Sequence, residues 1–381
     1  MAVGTQYEAQ LRKDMEFSSV LAEFAPARPD QQLDFITKYK AKKNPTTVDL
    51  NRIKRLEAVH TYTVTKSKED ALSLGVEQGI ISGLPEFDIT NPESLEQLSM
   101  AAETVSAHYG VDASPITKPQ ATSIVRAMNE GDVNQKTMIL GNLVNGFQSK
   151  APEALGRIFE VGPKTYSVAG GLMLEAAIYN MPERRDIAEN MLLGMTQIEL
   201  NKEIIPDEFD NEFNAALGAV YASRPKHHAA VREAARALFA QEMAMAGKLN
   251  NKDEIGVDLD SIITQITGGL VEVEWEGSSI NKSWYNGFDV DYQIEAPVPG
   301  MDGDGVAEWM ESITAGDIEA MGGVRGLGST NAAEMINEGV VRLAGVGSGH
   351  YLLYTLAGNQ FINETGEPFE LIFGIRGEAN K

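Results

Sequence analysis

Apolar residues recur every three or four positions through the middle of the chain, which is the spacing of helices that bury one face. The clearest helix is predicted after Asn91, a residue type that favours the position before a helix, with Pro92 in its first turn. Gly110 stands where a left-handed residue would end it. Between these signals one apolar stripe is formed by Leu95, Leu98, Ala102, Val105 and Tyr109.

The helical pattern continues to about residue 250. Pro119 and Asp132 are each placed to begin a helix. The connections are short, so neighbouring helices should pack antiparallel in a bundle or an irregular array. No fixed repeat period is present, which argues against a solenoid. Further helices are predicted over residues 152–159, 168–179, 183–200, 208–221 and 226–249.

After residue 255 the pattern changes. A short helix is predicted over 258–266, and alternating apolar and polar residues predict strands at 271–275 and 288–294. A later helix is indicated by the spacing of Val306, Trp309, Met310 and Ile313. Short apolar segments separated by glycine-containing turns predict a final β-meander over 340–346, 351–356, 360–362 and 369–373. The predicted fold class is therefore mainly α, an irregular multi-helix array with a small C-terminal α+β segment that ends in this meander.

The first ninety residues are patterned more loosely. Prolines break them into short helical pieces, and residues 58–65 have a strand-like composition with weak alternation. We expect an arm or docking region here. The predicted domains are an N-terminal arm at 1–90, a helical domain at 91–252 and a C-terminal α+β domain at 253–381.

Composition narrows the possible chemistry. The absence of cysteine excludes disulfides, thiol nucleophiles and thiolate metal sites. No stretch approaches the roughly 18–20 uncharged apolar residues that span a bilayer. Residues 1–21 carry scattered charges and lack the apolar centre of a secretion signal, so we expect the protein to be made in the cytoplasm.

The formal net charge of −23 argues against general DNA binding, because phosphate contacts need a surplus of Lys and Arg. The charge is nevertheless uneven, and the segment 38–68 is basic. One interpretation is a patch that binds nucleic acid or an acidic partner. The other is that these cations neutralise the acidic remainder of the same chain or of a neighbouring subunit. The possible interaction patch consists of Lys38, Lys40, Lys42, Lys43, Arg52, Lys54 and Arg55.

Two motifs invite comparison with lytic transglycosylases, which have a Glu-Ser pair followed about one helix later by Gly-Leu-Met-Gln. Glu93-Ser94 and the stretch 171–174 share parts of this pattern. They are much too far apart, Leu174 replaces the glutamine, and any acid is favoured where Glu93 stands at a helix start. We therefore predict no catalytic residue.

Other candidate sites also break at identifiable positions. The glycine-rich run 322–330 has no lysine before Ser329, so it is predicted to form turns and not a phosphate loop. The run 302–305 resembles a calcium loop, but Val306 stands where an oxygen ligand is needed, and a tight turn is predicted instead. No cofactor and no metal site is predicted. His227 and His228 begin a helix, where they could form an anion site or pair with the acidic helix at 207–212.

The order of short motifs from Leu95 to the C-terminal end resembles a helical region of very large internal virion proteins of tailed bacteriophages. In those proteins a lytic transglycosylase domain often lies elsewhere in the same polypeptide. The match covers about three quarters of the chain. It includes His108-Tyr109-Gly110-Val111, Ser114-Pro115-Ile116-Thr117, Val168-Ala169-Gly170-Gly171-Leu172, Ile266-Thr267-Gly268-Gly269, Pro299-Gly300-Met301 and Gly366-Glu367-Pro368-Phe369.

The resemblance implies a non-enzymatic structural protein of the virion, packaged inside the particle or ejected with the genome. It implies other virion proteins as partners, homo-oligomeric assembly and synthesis in the host cytoplasm. Two alternatives stay open. One is a lytic enzyme or accessory that acts on peptidoglycan, and the other is an acidic protein that captures a basic partner.

Overall fold

A computed structural model describes residues 15–41, 45–218, 220–221, 225–248, 257–273, 292–339, 341–347, 349–355 and 359–374. The chain forms two compact units, Met1–Gly170 (unit 1) and Gly171–Lys381 (unit 2). The predicted three-domain division at residues 90 and 252 is a different partition and stays a prediction. Most described residues are helical and the strands lie towards the C-terminal end, which confirms the predicted fold class.

Unit 1 consists of helices. Residues 15–24 form α1. The helices that follow are α2 (Pro29–Lys40), α3 (Thr47–Glu77), α4 (Pro92–Tyr109), α5 (Lys118–Glu130), α6 (Val133–Phe147), α7 (Ala151–Val161) and α8 (Lys164–Tyr179), the last of which continues into unit 2.

Side-chain caps explain where several of these helices begin. The Asn91 side chain accepts a hydrogen bond from the backbone N–H of Glu93, and Asp132 does the same for Gln135. Each cap satisfies an N–H group that has no partner within its own helix. At the other end of α4, Gly110 has a φ of 69°, which only glycine adopts without strain. The predicted starts of α4 and α6 and the predicted end of α4 are confirmed.

The strand-like segment 58–65 lies inside α3, so that interpretation was wrong. Thr63 is fully buried, and its hydroxyl accepts hydrogen bonds from Gln32 and Gln78. Tertiary packing of this kind outweighs the weak preference of threonine and valine for strands. α3 is also interrupted at Asp70, whose backbone is non-helical and whose carboxylate accepts hydrogen bonds from Ser73, as an N-cap does.

The segment that we expected to be an arm has a hydrophobic cluster of its own. It is formed by Phe17, Phe24, Ile36 and Leu56, all at most 5% exposed. A second cluster joins the end of α3 to α4 through Ala71, Leu72, Leu74, Ala102, Val105 and Tyr109. Residues 15–77 are thus packed into unit 1 at both ends of α3. Whether they also dock onto a partner stays a prediction.

Unit 2 begins with helices and ends with strands. Its helices are α9 (Pro182–Leu200), α10 (Phe209–Leu217), α11 (Pro225–Met245), α12 (Leu259–Thr267), α13 (Gly303–Glu311), α14 (Ala315–Ala320) and α15 (Ser329–Asn337). Its strands are β1 (Leu270–Val273), β2 (Tyr292–Glu295), β3 (Val341–Gly347), β4 (His350–Thr355) and β5 (Glu370–Ile372).

The strands form two antiparallel sheets. β1 pairs with β2, with Leu270 opposite Glu295. The second sheet has the order β3-β4-β5, as a meander requires. The predicted third segment of the meander, 360–362, makes isolated bridges through Gln360 and Ile362 in place of a regular strand. Parts of the predicted strands, including 274–275 and 288–291, lie outside the described residues. One core underlies both sheets and includes Val271, Ile294, Trp309, Tyr351 and Phe369.

Two predicted turns contain helix starts. The Asp302 carboxylate accepts a 3.0 Å hydrogen bond from the backbone N–H of Gly305, so the acidic run caps α13. Gly328, the last glycine of the run 322–330, lies immediately before α15, which begins at Ser329. Neither α14 nor α15 was predicted, because α14 has only 6 residues and the buried face of α15 is made largely of alanine.

Candidate functional site

The residues of the predicted basic patch differ in their contacts and in their exposure to solvent. Lys38 forms an ion pair with Asp34 at 2.5 Å, and Lys40 forms one with Glu57 at 2.6 Å. All four side chains are more than 40% exposed, so each pair contributes at most about 1 kcal/mol. These two contacts are of the kind expected if the cations neutralise acids of the same chain.

The remaining described members of the patch lie on α3. The Arg52 guanidinium lies 4.9 Å from the ring centre of Phe17, where a cation interacts favourably with the aromatic face. Lys54 and Arg55 are exposed to solvent on the same helix. Lys42 and Lys43 lie outside the described residues.

The transglycosylase-like residues have local structural contacts. Glu93 is exposed in the first turn of α4. The Ser94 hydroxyl donates to the carbonyl oxygen of Glu86 and accepts from the N–H of Asp88 at 2.9 Å, so it holds the preceding loop against the helix. Gly171 and Leu174 are interior residues of α8.

The two histidines at the start of α11 pack against aromatic rings. The His228 ring lies 5.7 Å from that of Phe213, and the His227 ring lies 5.4 Å from that of Tyr221. Later in α11, Arg232 and Arg236 approach the Asp210 carboxylate of the acidic helix at 3.7 Å and 3.2 Å. Ion pairs through these arginines therefore connect the two helices.

Several buried titratable groups with raised pKa values surround Glu295, a residue that no sequence pattern had indicated. Glu295 is the last residue of β2, and the Tyr221 hydroxyl donates a 2.9 Å hydrogen bond to its carboxylate. The Tyr351 hydroxyl, from β4, donates at 2.6 Å to the backbone carbonyl oxygen of the same residue. Glu295 therefore accepts hydrogen bonds from two tyrosine hydroxyls, one at its carboxylate and one at its main-chain oxygen.

Burial raises the pKa of Glu295 to about 7, because a charged carboxylate loses its hydration there. The residue as a whole retains some exposed surface, but its carboxyl is surrounded by protein atoms. The hydrogen bond from Tyr221 opposes this rise in pKa, the negative charge of Glu175 adds to it, and the positive charge of Arg184 opposes it.

Glu175 and Arg184 form the neighbouring ion pair. Arg184, near the start of α9, is 4% exposed, and its Nε donates to Glu175 at 2.7 Å. Its guanidinium also donates to the carbonyl oxygens of Gln265 and Ile266, in the last turn of α12. A helix end carries unsatisfied carbonyls and partial negative charge, so an arginine there stabilises it. Burial raises the pKa of Glu175, and Arg184 opposes that shift.

The two tyrosines remain protonated donors at neutral pH. Burial raises the pKa of Tyr221 and of Tyr351 well above its usual range, and the nearby Glu295 raises both further.

A carboxyl with a pKa near neutrality can accept or donate a proton in catalysis if a substrate reaches it. Here the hydrogen bonds of Glu295, Glu175 and Arg184 are made within the protein, and they join α8, α9, α12, β2 and β4.

We call Glu175, Arg184, Tyr221, Glu295 and Tyr351 the buried polar cluster. Its members are spread over more than 170 positions of the sequence, so no local motif could have indicated it. It contains no histidine, and among the described residues no group of three or more His, Asp or Glu is placed to hold a metal ion. The same part of the chain contains no helix with the length and apolar character needed to cross a bilayer.

Compared with known proteins, the sequence matches no family model, and neither curated proteins nor solved structures give a significant match.

Proposed function

We propose that this protein is a non-enzymatic structural component of a tailed-bacteriophage virion, an internal or ejected protein that assembles with other virion proteins and accompanies the genome towards the host envelope. The observation that carries the proposal is the order of short motifs from Leu95 to Phe369, which resembles the non-catalytic region of large internal virion proteins.

The contacts of the candidate residues support a structural role. The carboxylate of Glu175 is engaged by Arg184, and that of Glu295 by Tyr221. Such a network favours one unique packing of unit 2. Glu93, the acid of the transglycosylase-like pair, is exposed to solvent at a helix start and is not part of the buried polar cluster.

The charge distribution supports assembly with proteins more than binding of DNA. A net charge of −23 repels a phosphate backbone at long range. The predicted basic patch is partly engaged by acids of unit 1, and its exposed members on α3 are suited to an acidic protein surface. We therefore propose other virion proteins and further copies of this chain as the partners.

The test is the location of the protein in purified particles. Particles would be isolated from a lysate on a density gradient, and the protein quantified by mass spectrometry against the major capsid protein. We expect a constant ratio across the particle peak. We also expect protection from added protease until the particles are opened. Recovery only in the soluble fraction would contradict the proposal.

Two further assays separate the alternatives. Release of soluble fragments from peptidoglycan by the purified protein would favour the enzyme, and unchanged release by Glu93→Gln would exclude Glu93 from that activity. Capture of a cationic protein that weakens with added salt would favour the acidic binding protein, because exposed charge pairs are screened by ions.

A further inference from the structure

One face of α3 is exposed and basic. Its residues are spaced by three or four positions, so they lie along one side of the helix. Between residues 47 and 65 no acidic residue of α3 is fully exposed: Asp49 is buried, and Glu57 is partly buried and paired with Lys40. This basic face consists of Asn51, Lys54, Arg55, Ala58, Tyr62 and Thr65.

One face of α4 is exposed and acidic. α4 contains no Lys or Arg, and its exposed residues again recur at helical spacing. At the centre of the face Met100 is 61% exposed, which is unusual for so large an apolar side chain. This acidic face consists of Glu93, Glu96, Met100, Glu103 and Ala107.

The two faces match in length and are opposite in charge. The stretches 51–65 and 93–107 contain the same number of residues, and each is roughly 21 Å long at a rise of about 1.5 Å per residue. The acidic face has Met100 between its carboxylates, and the basic face has the small residue Ala58 next to its two cations, Lys54 and Arg55. A small residue opposite an exposed methionine permits close packing of two helices.

We infer that the basic face of one copy docks on the acidic face of a second copy. This inference rests on the proposed role as an assembly component. Each copy carries one face of each kind, so the contact joins two different surfaces and can be repeated to close a ring or extend a filament. A second copy fits better than nucleic acid, because the complementary surface is already present in the chain.

A single pair of short helices makes a small contact compared with the about 1,200–2,000 Å² of a stable interface. Association in solution should therefore be weak, and it should be stabilised where each copy makes two contacts. It should also be sensitive to salt, because charges are screened over about 8 Å at physiological ionic strength.

The experiment is sedimentation velocity on the purified full chain, over a range of concentrations and at low and high salt. We expect concentration-dependent association that weakens at least tenfold at high salt. The double variant Lys54→Glu/Arg55→Glu should associate at least tenfold more weakly, and so should Glu96→Lys/Glu103→Lys. A matched control, Lys118→Glu/Arg126→Glu on exposed α5 positions, changes the net charge equally and should associate like the wild type.

Complementation makes the test specific. A mixture of the two double variants should associate again, because each then meets a face of opposite charge. The chain with all four substitutions should also self-associate, provided that its thermal unfolding shows a folded protein. A monomeric wild type at every concentration, or an unchanged Lys54→Glu/Arg55→Glu variant, would overturn the inference.

Binding of duplex DNA by a monomeric wild type, lost in Lys54→Glu/Arg55→Glu, would also overturn it and would identify the basic face as a nucleic-acid surface. Failure of the docking can be distinguished from failure of the proposed function. Particles that contain the protein but tolerate Lys54→Glu/Arg55→Glu would refute the docking alone. Association in solution by a protein that is absent from particles would refute the virion role alone.

Discussion

The Tyr221 hydroxyl lies 2.9 Å from the Glu295 carboxylate and donates a hydrogen bond to it, although the two residues are 74 positions apart in the sequence. The contact connects the segment between α10 and α11 to the end of β2. Because burial raises the pKa of Glu295 to about 7, the proton on this carboxyl affects the stability of unit 2 near neutral pH.

The first prediction concerns pH. The folded state holds the Glu295 proton up to a pKa of about 7, whereas the unfolded chain releases it near its ordinary value of 4.5. Between these values the folded state binds more protons, so the free energy of unfolding falls as pH rises from about 4.5 to 7. The loss should be on the order of 2–3 kcal/mol, at 1.36 kcal/mol per pKa unit. Denaturant unfolding at several pH values measures it.

Glu295→Gln should remove most of this fall and be more stable than the wild type at pH 8, because the amide stays neutral. A smaller slope should remain, since burial also raises the pKa of Glu175 and of Glu242. Glu93→Gln, at an exposed carboxyl, is the control and should keep the slope of the wild type. Trp309 is buried in the core of unit 2, so tryptophan fluorescence reports the unfolding of this unit. Equal slopes in wild type and Glu295→Gln would refute the prediction.

The second prediction separates the two tyrosines of the buried polar cluster. Tyr221→Phe removes a hydrogen bond to a carboxyl that ionises near neutrality, and such bonds are stronger when the acceptor is charged. The variant should be destabilised by about 1 kcal/mol at pH 5 and by about 2–3 kcal/mol at pH 8.

Tyr351→Phe is its matched comparison, because that hydroxyl donates to the uncharged main-chain oxygen of Glu295. Its cost, about 1 kcal/mol, should change little across the same pH range. Both variants can be followed by tryptophan fluorescence during urea unfolding. The same pH dependence in both would mean that the carboxylate is not the acceptor that matters.

How much of the fold could be predicted from the sequence depends on how local each sequence signal is. The limits of α4 were predictable, because Asn91, Pro92 and Gly110 act within a few residues of the helix ends. Residues 58–65 were misread, because the burial of Thr63 depends on Gln32 and Gln78, which are distant in the chain. Local patterns predict helix ends well, whereas contacts between distant residues decide whether a segment inside unit 1 is helical or extended.

Glu295 shows why the buried polar cluster could not be predicted. In β2 it follows the buried Ile294, and strand alternation places it on the polar side of the strand. In the structure Tyr221 covers that side, so a position that reads as exposed becomes part of the interior. The basic patch was identifiable from composition, but its division into ion pairs and an exposed helix face was not.

The third prediction concerns the ion pair. Arg184→Met would leave Glu175 partly buried without its cation and remove the donors to Gln265 and Ile266. Removal of one partner from a buried pair costs about 3–5 kcal/mol. The neighbouring Arg185 forms an exposed pair with Glu189, so Arg185→Met should change stability by less than about 1 kcal/mol. Similar urea midpoints for the two variants would contradict the structural role of Arg184.

The fourth prediction concerns the packing of α9 against α11. A Cβ added at Gly194 would overlap the main-chain carbonyl group of Ala237. Main-chain atoms cannot turn aside as the end of a flexible side chain can, so the helices would have to separate. Gly194→Ala should therefore destabilise unit 2 by about 1–3 kcal/mol, as overpacking of a core does. Gly171→Ala in α8 is the control, since a Cβ there meets no atom within 4 Å. Alanine favours the helix at that position by up to about 1 kcal/mol. The two substitutions should thus have opposite signs in thermal unfolding followed by tryptophan fluorescence, and a stabilising Gly194→Ala would show that the two helices are not in close contact there.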